Sequence, residues 1–186
     1  MDPATTDAPR PWSPPAHIVL VEPEIPNNTG SVARTCVGFG LALHLVHPLG
    51  FDIDEKACRR AGLDYWPRVD LTEHADLASY RRAMLAAPGF WLFTARAGRT
   101  LFEAPIRSGD HLIFGRESVG LPRELLDAHP DRCVSIPLRP GERSLNLSNA
   151  VGIAAAEVVR NMIGSGGLSV DKNGRLVASE GDRVGQ

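Results

Sequence analysis

The sequence predicts an α/β fold, in which a mostly parallel sheet carries helices on both faces. Short apolar runs alternate along the chain with stretches of helical periodicity, and this alternation is typical of parallel sheets. The chain has 186 residues, of which 43% are hydrophobic, and this is enough for one domain with its own core. We therefore expect a single folded domain at residues 16–164.

The first predicted elements are a strand, a helix and a second strand. Apolar runs bounded by proline or polar residues favour strands at residues 17–21 and 41–46, with a helix near residues 31–39 between them. The later elements are expected in this order: a helix at 54–61, a helix at 77–86, strands at 90–94 and 111–114, and a short buried strand at 133–136.

The longest predicted helix covers residues 147–163, and Gly164 ends it. Apolar residues recur in it at the three- and four-residue spacing that turns one face of a helix into a core. The residues of this face are Leu147, Ala150, Val151, Ala154, Ala155, Val158 and Met162.

Charge and composition argue against several classes of function. The formal net charge is only −2, so no global field attracts nucleic acid and any such binding requires local clusters of charge. Cys36, Cys58 and Cys133 are widely spaced, which argues against a disulfide framework or a zinc site and favours the reducing cytoplasm. His44 and His47 lack a nearby set of ligand partners, so we expect no metal.

Both ends of the chain differ from the core. Residues 1–15 are rich in proline and contain no apolar run long enough for a signal peptide or a membrane span. Residues 165–186 are rich in Gly, Ser and charged residues and lack periodicity. We expect a disordered N-terminal arm, a flexible C-terminal tail and no membrane association.

The most informative segment lies at the start of the longest helix. A strand-to-helix loop at 138–144 leads into it and carries Ser144, Asn146, Ser148 and Asn149 to the start of the helix, where backbone donors suit a polar ligand. Helix capping is the alternative, because Ser and Asn are preferred where backbone amides lack partners. One cap requires one residue, so capping leaves most of the four positions unexplained.

A second polar loop, at residues 22–30, leaves the first strand and enters a helix. Asn28 or Thr29 is expected to cap that helix, and Arg34 is expected about one turn inside it. A cation there is unfavourable against the positive helix end unless it meets an anion. The alternative is a surface arginine paired with Glu22 or Glu24.

A third polar loop, Gly115 to Pro122, follows the strand at 111–114. Gly115 and Gly120 permit tight turns and close approach of the backbone to a ligand. The spacing resembles that of a P-loop, but Leu121 and Pro122 replace the residues that contact phosphate and magnesium, which argues against a nucleotide triphosphatase. The alternative is a tight turn with a solvated Glu117.

Together these three ordered motifs resemble those of the SPOUT-class RNA methyltransferases, and in particular the TrmL-type tRNA wobble-nucleotide 2'-O-methyltransferases. The resemblance covers residues 17–163. It is carried by Glu22-Pro-Glu-Ile-Pro-Asn-Asn-Thr-Gly30, Arg34, Arg59-Arg-Ala-Gly-Leu-Asp-Tyr65, Gly115-Arg-Glu-Ser-Val-Gly-Leu-Pro122, Ile136-Pro137 and Ser144-Leu-Asn-Leu-Ser-Asn-Ala-Val151. One position departs from it, since some members carry a tyrosine in the last helix where this chain has Ala156.

The resemblance implies a C-terminal deep trefoil knot, a homodimer and S-adenosyl-L-methionine as methyl donor. Physical rules alone favour an unknotted sheet. The residues implied for catalysis are Arg34, Asn28, Glu117, Ser144 and Asn146. The residues implied for donor binding are Thr94, Gly115, Gly120, Ile136, Leu138, Ser144 and Leu145.

The implied reaction is methylation of the ribose 2'-hydroxyl of the wobble nucleotide, C34 or U34, in the tRNA anticodon stem-loop. The enzyme is expected to contribute mainly positioning, since the donor is already activated and requires no metal. An arginine is rarely neutral, so Arg34 is expected to contact a phosphate or an oxyanion rather than act as a base. The arginines implied in RNA binding are Arg34, Arg59, Arg60, Arg139 and Arg143.

Two alternatives to this function remain open at the level of sequence. One is 2'-O-methylation of another tRNA or ribosomal RNA position by the same residues. The other is a non-catalytic RNA-binding module on the same fold.

Overall fold

The computed structural model, which describes residues 12–51 and 64–179, contains a six-stranded sheet whose neighbouring strands are all parallel. The strands are β1 (Ala16–Val21), β2 (Ala42–Val46), β3 (Leu71–His74), β4 (Phe90–Phe93), β5 (Asp110–Phe114) and β6 (Cys133–Val134), in the order β3-β2-β1-β5-β4-β6. The α-helices of the described residues are α1 (Pro26–Phe39), α2 (Leu77–Ala86), α3 (Arg123–Ala128) and α4 (Leu147–Gly164). The predicted fold class, a parallel sheet with helices, is confirmed at this level.

Helices cover both faces of the sheet because the residues of each strand alternate between two apolar layers. Ile18 and Leu20 of β1 lie in the layer that contains Val32 of α1 and Val151 of α4. Their neighbour Val19 lies in the opposite layer, which α2 and α3 cover. The buried face of α4 matches the predicted one, except that Ala150 is only partly buried.

Helix α1 differs from the prediction at its start. It begins at Pro26 rather than near residue 31, and its N-cap is Ile25, which makes no side-chain cap. The expectation that Asn28 or Thr29 caps the helix was therefore wrong, since both are buried inside its first turn. Arg34 lies about two turns into the helix, too far from its N-terminus for the expected repulsion from the helix dipole.

Three other parts of the chain also depart from the prediction. Strand β3 was not expected, because its half-exposed residues lack a continuous apolar run. Strand β6 has two residues instead of four, and only Val134 is fully buried. In the segment expected as a flexible tail, β7 (Leu168–Val170) and β8 (Leu176–Ala178) form an antiparallel hairpin, and Leu168 of this hairpin joins the core.

Some expectations fall outside the described residues. These are the helix at 54–61, residues 1–11 of the N-terminal arm and residues 180–186 of the tail. Trp12 is described, and its Nε1 donates to the carbonyl oxygen of Gly40 at 2.7 Å. Across 12–51 and 64–179, each helix is too short or too polar to cross a membrane.

Candidate active site

The three polar loops meet at one edge of the sheet. Strands β1 and β5 are parallel neighbours, so the loops that follow them, residues 22–25 and 115–122, leave the same edge side by side. The loop between β6 and α4 brings Asn146 to the same place. Ligands of open α/β sheets bind beyond the carboxyl ends of the strands, where these loops lie.

Glu117 fastens the second of these loops to the start of α1. Its Oε2 accepts from the backbone N–H of Glu24 at 2.8 Å, and its Oε1 accepts from that of Ile25 at 3.3 Å. Oε1 also accepts from Asn28 Nδ2 at 2.9 Å. The solvated Glu117 of the alternative reading is therefore not found. A carboxylate at the positive N-terminal end of a helix is stabilising, and Glu117 supplies the anion that the first turn of α1 lacks in its own sequence.

Asn28 connects Glu117 to Asn146. The Oδ1 atom of Asn28 accepts from Asn146 Nδ2 at 2.9 Å. Because an ionised carboxylate only accepts hydrogen bonds, the amide nitrogen of Asn28 must face Glu117 and its oxygen must face Asn146. Because the amide oxygen of Asn28 can only accept, the amide nitrogen of Asn146 must face it. Both hydrogen bonds therefore run in one direction, from Asn146 to Asn28 and from Asn28 to Glu117.

Asn146 performs a second task as the N-cap of α4. Its Oδ1 accepts from the backbone N–H groups of Ser148 at 2.9 Å and Asn149 at 3.4 Å, and from Ser148 Oγ at 2.7 Å. Capping therefore accounts for the oxygen of this side chain but not for its nitrogen. The capping explanation holds for one atom of Asn146, and the bond to Asn28 requires a further explanation.

Reciprocal contacts hold the first two loops together. Glu24 accepts from the backbone N–H and from the hydroxyl of Ser118, both at 2.9 Å, while Arg116 pairs with Glu22. Glu22 has a φ of 51°, a conformation uncommon for residues other than glycine. Sequence reasoning missed Ser118 and the true partners of the two glutamates, because these pairings join residues more than ninety positions apart.

Arg34 is not brought into this cluster within one chain. Its guanidinium carbon lies 4.5 Å from the centre of the Tyr65 ring, and its Nη2 lies 4.0 Å from Asp64 Oδ1. The Arg34 side chain is 67% exposed, and the expected alternative pairing with Glu22 or Glu24 is not found, since those carboxylates bind Arg116 and Ser118. Tyr65 is buried and donates to the carbonyl of Gly30 at 2.8 Å, so it is a fixed platform under the arginine.

The residues expected to bind the methyl donor lie on the loops after β4, β5 and β6. Thr94 is half-buried directly after β4, and its N–H donates to the carbonyl of Val134 at 3.0 Å. The side of Gly115 that a Cβ would occupy faces the Gly120 backbone at 2.1 Å, so this close approach is to the chain itself. Gly120 has a φ of 75°, which suits glycine.

The third loop offers main-chain groups to a ligand. In the stretch that includes Ile136, Leu138, Ser144 and Leu145, the described residues show one backbone bond, from Glu142 N–H to Arg139 O at 3.1 Å. Ser144 is exposed, and no hydrogen bond to its side chain is found among the described residues. Free amides and carbonyls beside partly buried Ile136 and Leu145 fit a ligand with an apolar ring and polar edges, such as an adenine nucleoside.

Two surface features border the cluster. Each loop exposes one large apolar side chain, namely Ile25, Val119 and Leu138, and Val119 is 74% exposed. An open cleft of about 570 Å³ runs along the 115–122 loop and is bordered by Glu22, Arg116 and Gly120. Gly120 is the one predicted donor-binding residue that lines this cleft. Arg139 and Arg143 are exposed on the third loop, whereas Arg59 and Arg60 lie outside the described residues.

Comparison with known proteins places this geometry in a family. The sequence profile of the SpoU rRNA Methylase family matches residues 15–156. The chain belongs to this family. Within the SpoU methylases, it is 42% identical over 153 residues to a Burkholderia cenocepacia protein named tRNA (cytidine(34)-2'-O)-methyltransferase, a match that covers 81% of this chain and 98% of the relative. A Saccharophagus degradans protein of the same name is 41% identical, with 78% of this chain and 95% of the relative covered.

Solved structures of SpoU and other RNA methyltransferases have the same fold. One, described as giving structural insights into 2-OH methylation of C/U34 on tRNA, is 47% identical, has a TM-score of 0.74, and covers 80% of this chain and 97% of that one. An AdoMet-bound rRNA methyltransferase from Sinorhizobium meliloti is 22% identical, with a TM-score of 0.70, and covers 82% of this chain and 58% of that one. The second likeness shows the fold alone.

Proposed function

We propose that this protein is an S-adenosylmethionine-dependent methyltransferase of the ribose 2'-hydroxyl of nucleotide 34, cytidine or uridine, in the tRNA anticodon loop. The observation that carries the proposal is the hydrogen-bonded junction of Asn28, Glu117 and Asn146, which unites the three loops at the carboxyl edge of the sheet. Two relatives are 42% and 41% identical to this chain over most of its length, and their names support the same substrate.

The methyl donor is held by main-chain groups of the loops after β4, β5 and β6. Thr94, Ile136, Leu138 and Leu145 supply the surroundings of the adenine nucleoside, and Gly115 and Gly120 give the intervening turn its shape. S-adenosylmethionine, when bound, supplies a sulfonium-activated methyl group. Ser144 is exposed, and its hydroxyl would be available to the donor or to the substrate.

Asn28 and Glu117 act as positioning residues, and Asn146 is the member of the junction that faces the substrate. Glu117 already accepts three hydrogen bonds from the chain, so its role is to hold Asn28. The Asn146 amide has two hydrogens and uses one on Asn28. The second hydrogen of this exposed side chain is free to bind the ribose and align its 2'-oxygen, and alignment of this kind contributes much of the rate in group transfer.

Arg34 and the arginines of the third loop bind the RNA backbone. Arg34 is exposed, lies over the Tyr65 ring and approaches Asp64, and it makes no contact with the junction in its own chain among the described residues. The protein acts as a homodimer in which Arg34 serves the site of the partner subunit. Arg139 and Arg143 add phosphate contacts beside that site, which compensates for the low overall charge of the chain.

The chain after β5 forms the trefoil knot. Strand β5 lies between β1 and β4, β6 lies beyond β4, and α4 returns to pack against α1 on the same face of the sheet. This rearranged strand order, together with the likeness to SpoU methyltransferase structures, supports a knotted path. The enzyme works in the reducing cytoplasm, where its tRNA substrate is found.

The direct test is to incubate the protein with isotope-labelled S-adenosylmethionine and unmodified tRNA, digest the tRNA to nucleosides and separate them by mass spectrometry. We expect label in 2'-O-methylcytidine and 2'-O-methyluridine, mapped to position 34. Label in another ribose of the tRNA would retain 2'-O-methyl transfer as the reaction and change the target nucleotide. Absence of donor binding by calorimetry would contradict the proposal and favour a non-catalytic RNA-binding module.

A further inference from the structure

Four histidines and a tyrosine form a cluster on the face of the sheet that α2 covers. His17, His44, His74 and His111 come from the neighbouring strands β1, β2, β3 and β5, and Tyr80 of α2 packs against three of them. The sequence alone did not predict this cluster, because its members are scattered over nearly a hundred residues. Only the parallel register of the sheet brings them together.

Three of these histidines meet at one point. One ring nitrogen from each of His17, His44 and His111 lies within 4.8 Å of the other two. The rings of His17 and His111 stack with their centres 4.6 Å apart, and His17 Nδ1 lies 2.9 Å from His44 Nε2. Their three strands are hydrogen-bonded neighbours in the order β2-β1-β5, so the sheet fixes the spacing of the side chains.

The remaining two residues orient the outer nitrogens of this group. His44 Nδ1 lies 2.9 Å from His74 Nε2, and His111 Nδ1 lies 2.7 Å from the hydroxyl of Tyr80. These contacts occupy Nδ1 of both His44 and His111 and leave their Nε2 atoms available, and His44 Nε2 is the atom that lies 2.9 Å from His17 Nδ1. Metal-binding histidines typically show this arrangement, in which the nitrogen that does not bind metal donates to a polar partner.

Burial also affects the pKa values of the three rings. Burial, aided by the neighbouring histidines, lowers the pKa of His44 to about 3 and the pKa of His111 to about 4. Burial also lowers the pKa of His17, although Asp70 opposes this effect. Burial of this kind disfavours a charged ring, and the convergence of one nitrogen from each ring on a common point is what suits a metal ion.

We propose that His17, His44 and His111 bind one divalent transition-metal ion, with zinc the best-suited probe. Three imidazoles suit zinc, copper and nickel, and His17, which is only partly buried, leaves a further coordination position accessible to water. The ion joins β2, β1 and β5 and so stabilises the sheet. His17 precedes Glu22 by five residues of β1, about 16 Å in an extended strand, so the metal lies far from the methyl-transfer site.

The test uses the full-length protein, freed of metal with a chelator and titrated with zinc chloride in a calorimeter. We expect one equivalent of zinc to bind. The melting temperature is expected to rise by about 5 °C or more when free zinc exceeds the dissociation constant about a hundredfold. Cobalt substituted for zinc is expected to give the visible absorption bands of a low-coordinate site, a signal that loosely attached surface ions do not give.

Substitutions test whether zinc binds at the histidine cluster. His17→Gln and His111→Gln are expected to lose the stoichiometric binding, while Tyr80→Phe, which removes only an orienting partner, is expected to weaken it about 10- to 100-fold. His47→Gln is the matched control, because His47 is more exposed and bonds to Glu73 outside the cluster. The proposal is overturned if the wild-type protein binds no zinc, or if His17→Gln and His111→Gln bind it as well as His47→Gln does.

Discussion

Asn146 Nδ2 donates to Asn28 Oδ1 at 2.9 Å, and this bond joins two residues that lie 118 positions apart in the chain. One of them lies in the first turn of α1 and the other is the N-cap of α4. Through Asn28 the bond extends to Glu117, so three loops share one set of directed hydrogen bonds. The proposed methyl-transfer site depends on these hydrogen bonds, and the residues that form them can each be substituted to test their roles.

Substitution of Asn146 separates the two tasks of its side chain. Asn146→Asp keeps the oxygens that cap α4 but loses the donor to Asn28, whereas Asn146→Ala loses both. We expect the alanine variant to be about 1 kcal/mol less stable in urea unfolding through loss of the cap, and the aspartate variant to lose about as much because a carboxylate oxygen then faces the buried Asn28 Oδ1 acceptor. Both are expected to lose at least tenfold in methylation rate, about 1.4 kcal/mol. A wild-type rate for Asn146→Asp would reduce Asn146 to a helix cap.

Substitution of Asn28 by aspartate is expected to set two carboxylates against each other. Asn28 is buried and donates to Glu117 at 2.9 Å, so Asn28→Asp removes a donor and adds a like charge. We expect a loss of about 1–3 kcal/mol in the free energy of unfolding at pH 7. Asn27→Asp is the control, because Asn27 is the exposed neighbour on the same turn.

The pH dependence of Asn28→Asp distinguishes repulsion from simple loss of packing. Mutual repulsion raises the pKa of one carboxyl of the pair in the folded state above its unfolded value. Because a raised pKa means that the folded state binds this proton more tightly than the unfolded state does, protonation favours folding. The stability lost by the variant should therefore become smaller as pH falls through the raised pKa. Urea unfolding between pH 7 and pH 4 measures this, and a deficit that stays constant with pH would contradict the charge explanation.

Arg34→Ala tests the arginine over Tyr65. The side chain is exposed and its described contacts are the Tyr65 ring and a 4.0 Å approach to Asp64, so we expect less than about 1 kcal/mol of lost stability. The methylation rate is expected to fall more than tenfold, or about 1.4 kcal/mol. The control Arg123→Ala removes another exposed arginine, which pairs with Asp127 on α3, and should leave the rate unchanged.

Mixing two inactive variants tests whether Arg34 serves the partner subunit. If sites are shared, a dimer of one Arg34→Ala chain and one Asn146→Asp chain contains one intact site. An equal mixture, unfolded and refolded together, should then recover about a quarter of wild-type activity, since about half of the dimers are mixed. No recovery, despite mixed dimers confirmed by a size tag on one chain, would place Arg34 in the site of its own chain.

RNA binding should depend steeply on salt, because a chain of low net charge must rely on local phosphate contacts. We expect tRNA affinity to fall strongly between low and moderate salt. Arg139→Ala and Arg143→Ala should each lower the slope of log affinity against log salt by about one. Fluorescence anisotropy measures this, and a flat response in the wild-type protein would count against backbone recognition.

The sequence predicted helices well where the spacing of apolar residues shows which face is buried in the folded protein. The apolar stripe of α4 and the bounds of α2 are examples, because spacing alone decides which face of a helix is buried. The start of α1 was missed because Pro26, Asn28 and Gly30 resemble a loop. The anion that favours its first turn comes from Glu117, which is far away in sequence.

The sequence identified the residues of the candidate site but not the hydrogen bonds between them. The three loops were identified by their polar residues, yet spacing does not reveal that Glu117 binds two backbone amides or that Asn146 donates to Asn28. Arg34 was grouped with these residues and lies apart from them within one chain. The histidine cluster was missed for the same reason, since it depends on the register of four strands.

The proposed reaction modifies one hydroxyl group, so removing that group from the tRNA is the decisive experiment. Two tRNAs are prepared that differ only in the sugar of nucleotide 34, which is a ribose in one and a 2'-deoxyribose in the other. With labelled S-adenosylmethionine, we predict close to one methyl group per ribose-containing tRNA and none in the deoxy form. Equal labelling of both tRNAs would exclude the 2'-hydroxyl of nucleotide 34 as the methyl acceptor.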